Sequence, residues 1–152
     1  MATVQIHQTG AEYLLRTVIT GESTRVTTVT VGLFNDSTDE LTHTSDYGDI
    51  TTEPSDGNYV AQSVDLDASS STTLDVDNWT AVLGQIDFDV DGTTGSVDSY
   101  YVTVTDNLSG DEEDTQHLFW TGSLDQTYDL SQIDVFRIDA DTAGVKVIPD
   151  TD

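Results

Sequence analysis

The 152-residue sequence predicts an all-β fold, a single antiparallel β-sandwich of jelly-roll type occupying residues 1–152. Three observations predict it. Short stretches that alternate β-branched or aromatic residues with polar ones recur about every ten residues. Turn-forming clusters separate them: Asn35-Asp36-Ser37, Asp56-Gly57-Asn58, Asp91-Gly92 and Ser109-Gly110-Asp111. Threonine is abundant on the alternate positions, where a β-branched polar side chain suits the solvent face of a strand.

Taken in order, residues 3–8 alternate through Val4 and Ile6, and residues 12–20 form a denser apolar run before Gly21. Residues 25–34 alternate through Val29, Val31 and Leu33. Residues 59–67 do so through Val60, Val64 and Leu66, with Gln62 as the polar break. Strands over 79–83 and 86–90 follow; in the second, Ile86, Phe88 and Val90 face one way and Asp87 and Asp89 the other. Residues 97–105 give the clearest strand, with Tyr100, Val102 and Val104 on one side. Residues 117–121, 127–130, 135–138 and 145–148 complete the set. Residues 69–73 read as a Ser/Thr linker or loop tip. The irregular stretch 37–55 is long enough to be a functional loop or a packed Ω-loop.

Charge narrows the function classes. The chain has 29 acidic residues against Arg16, Arg25, Arg137 and Lys146, a formal net charge of −25. Phosphate neutralisation needs Lys and Arg, so a nucleic-acid partner bound in that way is excluded, and the charge argues against docking on an anionic membrane surface. With no cysteine, disulfides, Cys-ligated zinc, iron–sulfur clusters and thiol catalysis are excluded. No apolar run is long enough for a spanning helix, and MATVQIHQTG has neither the basic nor the apolar region of a secretion signal. The acid is mostly Asp, and Lys is almost absent. At about 1 M salt the Debye length is roughly 3 Å, so such a surface no longer repels itself. The expectation is a folded halophilic protein rather than a disordered one.

Few residues suggest chemistry. Asp87-x-Asp89-x-Asp91-Gly92, continuing to Asp98, approaches the spacing of a calcium loop, in which alternate oxygens wrap a hard cation. Its flanks read as strands and its last position is Asp rather than Glu, so a solvated strand face ending in a turn stands beside the cation reading, and no cofactor is the working expectation. Asn35, Asn78 and Asn107 lie in N-x-S/T sequons. His7, His43 and His117 are scattered, without the spacing of a metal trio. No G-x-S-x-G elbow or phosphate loop is present, and no carboxylate pair can be singled out among so many, so no enzyme is expected. Trp79, Trp120, Tyr100, Tyr101 and Tyr128 read as core and rim aromatics, with a sugar platform as the alternative. Arg137 and Lys146 are expected to pair with nearby Asp.

Contact surfaces are expected where acid is missing. Leu14, Leu15, Val18 and Ile19 are the first choice, since that run reads as apolar on both faces of a strand; a central strand buried on both sides is the competing reading. Tyr47, within the 37–55 loop, and Tyr59 are the other interface candidates.

Two segments carry a resemblance. Leu33-Phe34-Asn35-Asp36 leads through Ile50-Thr51-Thr52-Glu53-Pro54 to Gly57-Asn58-Tyr59-Val60-Ala61-Gln62; His117-Leu118-Phe119-Trp120-Thr121-Gly122 leads to Tyr128-Asp129-Leu130-Ser131-Gln132-Ile133-Asp134. Together they resemble a family of small virion structural proteins of haloarchaeal tailed viruses. The family's tyrosine-led strand commonly begins Tyr-Ala-Arg-Gln; here the basic residue is absent. The resemblance implies a non-enzymatic β-sandwich on the capsid surface, as a decoration or turret subunit assembled in the host cytoplasm. Its partners would be further copies of itself and virion proteins such as the major capsid protein. A tail or baseplate component is the nearest alternative, and a calcium- or carbohydrate-dependent adhesion module a further one.

Overall fold

A computed structural model describes residues 4–22, 25–66, 72–75, 80–106, 115–141 and 144–150. Among them, ten strands form three antiparallel sheets. The strands are β1 (Val4–Ile6), β2 (Thr28–Phe34), β3 (Gln62–Asp65), β4 (Thr72–Asp75), β5 (Thr80–Leu83), β6 (Ile86–Asp89), β7 (Ser96–Asp106), β8 (Thr115–Asp129), β9 (Val135–Asp141) and β10 (Gly144–Asp150). The largest sheet has the order β1-β8-β7-β2-β3, the second β10-β9-β6, and the third pairs β4 with β5. The predominantly β, antiparallel character read from the alternation is therefore present.

The two larger sheets share one core. Val31, Leu33, Tyr100 and Val102 from the first pack with Ile86, Phe88, Phe136 and Ile138 from the second. The ring of Tyr59 stacks on Phe88 at 5.9 Å, and Tyr128 meets Phe136 edge-on at 5.1 Å. β6 alternates as its sequence requires, with Ile86 and Phe88 buried and Asp87 and Asp89 exposed.

Alternation fails in β2 and β7, for a structural reason. Leu33 and Phe34 are both buried, as are Tyr100 and Tyr101. The second face of these strands is covered by the segment between β2 and β3. Leu41, Tyr47, Ile50 and Ala61 lie over a second small core of Phe34, Tyr101 and Leu118. Two glycines make room for aromatic rings across the strands: the Tyr101 ring lies over Gly32, and the Tyr100 ring over Gly122.

Three sequence expectations need correction. Residues 12–20 are not a strand. Helix α1 (Gln8–Leu14) runs directly into a π-helical turn, Leu15–Thr20, which ends at Gly21 in the left-handed region (φ 69°). Ala, Glu, Leu and Arg favour helix in its first half. Gly10 lets α1 press onto β8, because a Cβ there would collide with the Phe119 backbone. The two strands expected over 117–121 and 127–130 are one strand, β8, bent where its pairing with β7 shifts register. The linker expected over 69–73 is partly strand, since β4 starts at Thr72; residues 69–71 lie outside the described residues.

Candidate interaction surface

Helix α1 and its π-helical extension turn the wrong face outward. Gly10 and Tyr13 are buried, and Arg16 and Thr17 are half-buried. The Tyr13 hydroxyl accepts from the Val26 amide at 2.8 Å, and its ring meets Phe119 edge-on. Thr17 Oγ1 is buried without a hydrogen-bond partner. The outward stripe is Leu14, Leu15, Val18 and Ile19, the last two each 72% exposed. Leu14 and Val18, and Leu15 and Ile19, are one turn apart on the same side. A solvent-facing helix ordinarily shows the reverse pattern. The four residues named from sequence are thus brought together on one surface. Both forms of the strand expectation are overturned, two-faced and centrally buried alike.

The other interface candidates turn inward. Tyr59 is buried and Tyr47 half-buried, and both donate to Glu53, at 3.0 and 3.1 Å. Tyr101 donates to the same carboxylate at 2.6 Å, and the Tyr59 hydroxyl accepts from the Leu33 amide at 2.8 Å. Burial, with Glu53 alongside, pushes the hydroxyls of Tyr59 and Tyr101 well above the ordinary phenol range, and that of Tyr47 upward. Tyr59 therefore belongs to the core rather than to a surface, which corrects the expectation for that residue.

The 37–55 loop is a packed clasp, held by carboxylates in structural roles. Asp46 accepts from the Leu118 amide at 2.7 Å, the Tyr47 amide at 2.8 Å and His117 Nδ1 at 2.8 Å. With Asp49 it forms a capping box on the 3₁₀ turn Tyr47–Asp49. Burial disfavours its charge, but the Leu118 amide, His117 and the Tyr47 amide outweigh burial and hold its pKa below the ordinary carboxylate value. Asp39 is lowered likewise: burial opposes, and the hydroxyls and amides of Thr51 and Thr52 prevail. His7 completes the attachment. Its Nδ1 lies 3.1 Å from the Ser45 carbonyl and its Nε2 2.9 Å from Thr121 Oγ1. A carbonyl only accepts, so Nδ1 carries the proton and Nε2 accepts from Thr121. Burial lowers the His7 pKa, despite opposing help from the Ser45 carbonyl.

The aspartates of the calcium-like spacing are dispersed. Asp87 pairs with Arg137 at 2.8 Å, as expected for that arginine, and its pKa is lowered chiefly by that contact. Asp89 accepts from Asn58 Nδ2 at 3.1 Å and from the Asp91 amide at 3.1 Å. Asp98 caps α2 (Asp36–Asp39) through the Asp36 amide at 2.7 Å and the Ser37 hydroxyl. Among the described residues, no three acidic or histidine side chains converge as metal ligands would. His7 and His117 both serve the clasp, and His43 gives its carbonyl to the Gln8 amide at 2.7 Å. The Asn35 side chain caps α2 and donates to Ser96. Tyr100, Tyr101 and Tyr128 are buried and Trp120 half-buried against Phe119, the core reading rather than an open platform. Trp79, Asn78 and Asn107 lie outside the described residues, as does the Lys146 side chain. A shallow groove between β3 and β6, lined by Gln62, Val64, Gln85 and Asp87, encloses about 160 Å³.

The Glu53 hub and the Asp46–His117 pair were not readable as sites from sequence. The Asp46-x-x-Asp49 spacing, which went unread in the sequence, is the signal that could have found the capping box. No family model, no curated protein and no solved structure matches this chain. What the geometry defines is a β-rich protein with an internally tied loop and one outward apolar helical stripe.

Proposed function

We propose that this chain is a non-enzymatic virion structural protein of a halophilic tailed virus. It acts as a capsid-surface decoration or turret subunit, built on a jelly-roll-like β-sandwich. It assembles in the host cytoplasm with further copies of itself and with virion proteins such as the major capsid protein. The observation that carries the reading is the outward stripe of Leu14, Leu15, Val18 and Ile19 on a chain of net charge −25. An apolar, acid-free surface on so charged a protein is a contact surface. The resemblance of segments 33–62 and 117–134 to small virion proteins gives the context. The tied clasp suits a particle component, since its polar groups are spent on internal hydrogen bonds. Mass spectrometry of purified particles, with immunogold labelling, tests it. The protein is expected in a fixed ratio to the major capsid protein, with gold on the head. Absence from particles overturns the reading.

A further inference from the structure

We propose that the Asp91-Gly92 bond is a site of spontaneous covalent modification, where the aspartate cyclises and reopens as isoaspartate, and that the fold shields its counterpart Asp56-Gly57 from the same reaction. The inference rests on these two turns and not on the virion reading.

The chain holds two Asp-Gly bonds. At such a bond the glycine nitrogen approaches the aspartate side chain without a Cβ in the way, and the attack is intramolecular. The Gly92 nitrogen bonds to Cγ of Asp91, and the carboxyl OH and the amide proton leave together as water. A five-membered succinimide results. Water then adds to one of its two carbonyls. Breaking the bond from nitrogen to Cγ restores aspartate. Breaking the bond from nitrogen to the main-chain carbonyl carbon leaves the chain running through Cβ and Cγ. Nothing is oxidised or reduced, and the product has the original mass with one more atom in its backbone.

The two bonds sit tip to tip in contrasting surroundings. Gly57 lies against Gly92 and Thr93, and both glycines have positive φ, 60° and 72°. Asp56 is tied down: Oδ1 accepts from the Thr94 amide at 3.0 Å and Oδ2 from the Thr94 hydroxyl. Those bonds commit both oxygens and hold the carboxyl ionised, with a pKa below its ordinary value. The ionised form has no OH to lose.

Asp91 is the opposite case. It and Gly92 are exposed. Among the described residues, neither the Asp91 carboxylate nor the Gly92 amide has a hydrogen-bond partner. The main chain supplies the restraint. The Thr93 amide donates to the Val90 carbonyl at 2.9 Å across the turn, and the Asn58 amide to the Asp91 carbonyl at 3.0 Å. Both bonds flank an exposed tip, where local opening is frequent, and each opening lets the Asp91 side chain swing onto the Gly92 nitrogen.

The product does not fit the junction. The carbonyl that accepts from Asn58 becomes a free carboxylate, and the added backbone atom falls inside the turn closed by Thr93 and Val90. A Cβ on Gly57 would already collide with the Thr93 amide, so the junction has no spare room. Isomerisation therefore loosens the connection between β6 and β7 from the 56–58 turn.

The test ages the full chain for weeks in warm, neutral, molar KCl, with a parallel sample unfolded in urea. Peptide mapping with electron-transfer fragmentation locates isoaspartate. In folded protein it should accumulate at residue 91 and at least about tenfold more slowly at residue 56, the rate cost of first breaking a hydrogen bond to a charged group. In urea the two rates should become alike. Asp91→Glu should erase the signal at 91, and Thr94→Val should raise the rate at 56. Should Thr94→Val fail to fold, the urea sample carries the same comparison. Hydrogen exchange across residues 90–94 should quicken in the aged fraction. Folded protein that shows no isoaspartate at 91 while the urea sample does overturns the inference, as do equal rates at 56 and 91 in the folded state. Unchanged exchange in the isomerised fraction overturns the loosening.

Discussion

His117 and Asp46 lie 71 positions apart in sequence and meet across a 2.8 Å hydrogen bond, Nδ1 donating to Oδ2. The contact joins the start of β8 to the middle of the loop between β2 and β3, and the Leu118 amide completes it on Oδ1. Through it, the loop becomes the cover for Phe34, Tyr101 and Leu118. Three consequences for stability follow from this clasp, each measurable in constant molar salt.

Asp46→Ala removes the acceptor for two backbone amides and one imidazole. Unpaired buried donors cost about 1–3 kcal/mol each, reduced here because the carboxylate is partly exposed. The expected loss is about 2 kcal/mol in urea unfolding. Asp46→Asn should lose less, since its amide oxygen still accepts.

Acid should destabilise the protein in two stages. The folded His7 has a pKa below its ordinary 6.5, so the unfolded chain takes up the proton first. Stability is full above about pH 6.5 and falls as pH drops from there toward the folded value. Asp39, Asp46 and Asp98 have folded pKa values below the ordinary 3.8. Their contribution is complete above that range and is lost as pH falls through the folded values. Denaturant midpoints from pH 8 to 2 should show both stages, and His7→Gln should flatten the first.

The Glu53 hub predicts an asymmetry. Tyr101→Phe keeps the ring and deletes one hydrogen bond of 2.6 Å, an expected loss of about 1–2 kcal/mol because the acceptor is charged. Glu53→Ala leaves three phenols without their acceptor and should cost more, about 3 kcal/mol. Equal losses in thermal or urea unfolding would show that the ring contacts, not the hub, hold the loop.

Salt and calcium should act differently. Lowering KCl from molar to about 0.1 M lengthens the Debye length to roughly 10 Å, exposes a charge of −25 to its own repulsion and should lower Tm. Millimolar calcium at constant molar KCl should leave Tm unchanged, because Asp87 is held by Arg137 and Asp98 by the N-terminus of α2. A rise of several degrees with calcium would instead assign Asp87, Asp89 and Asp91 to a cation.

Much of this fold is legible from alternation. β6, β7 and β9 lie where Ile86, Tyr100 and Phe136 sit in strand-period runs. That Arg137 pairs with an Asp was legible, but not that the partner is Asp87, 50 residues away and brought opposite by the β6–β9 register. The helix over residues 8–20 was not legible. Its second half is β-branched, and a dense apolar run without a side-chain N-cap reads equally as strand. The close approach of Gly10 to the Phe119 backbone, which seats the helix on β8, is a tertiary contact that no local period encodes. The Glu53 hub was invisible for the same reason: Tyr47, Tyr59 and Tyr101 converge through tertiary contact. The candidate surface was legible as residues and not as geometry. Leu14, Leu15, Val18 and Ile19 stood out by their lack of acid, but their common outward face depends on helical spacing.

Hydroxyl-radical footprinting of residues 8–20, on purified particles and on dilute free protein in the same molar salt, tests the central claim most directly. If the outward helical stripe is the contact surface of a virion subunit, Leu14, Leu15, Val18 and Ile19 will be strongly protected in particles while exposed Val60 reports the general change. Equal labelling of the stripe in both samples would contradict the account.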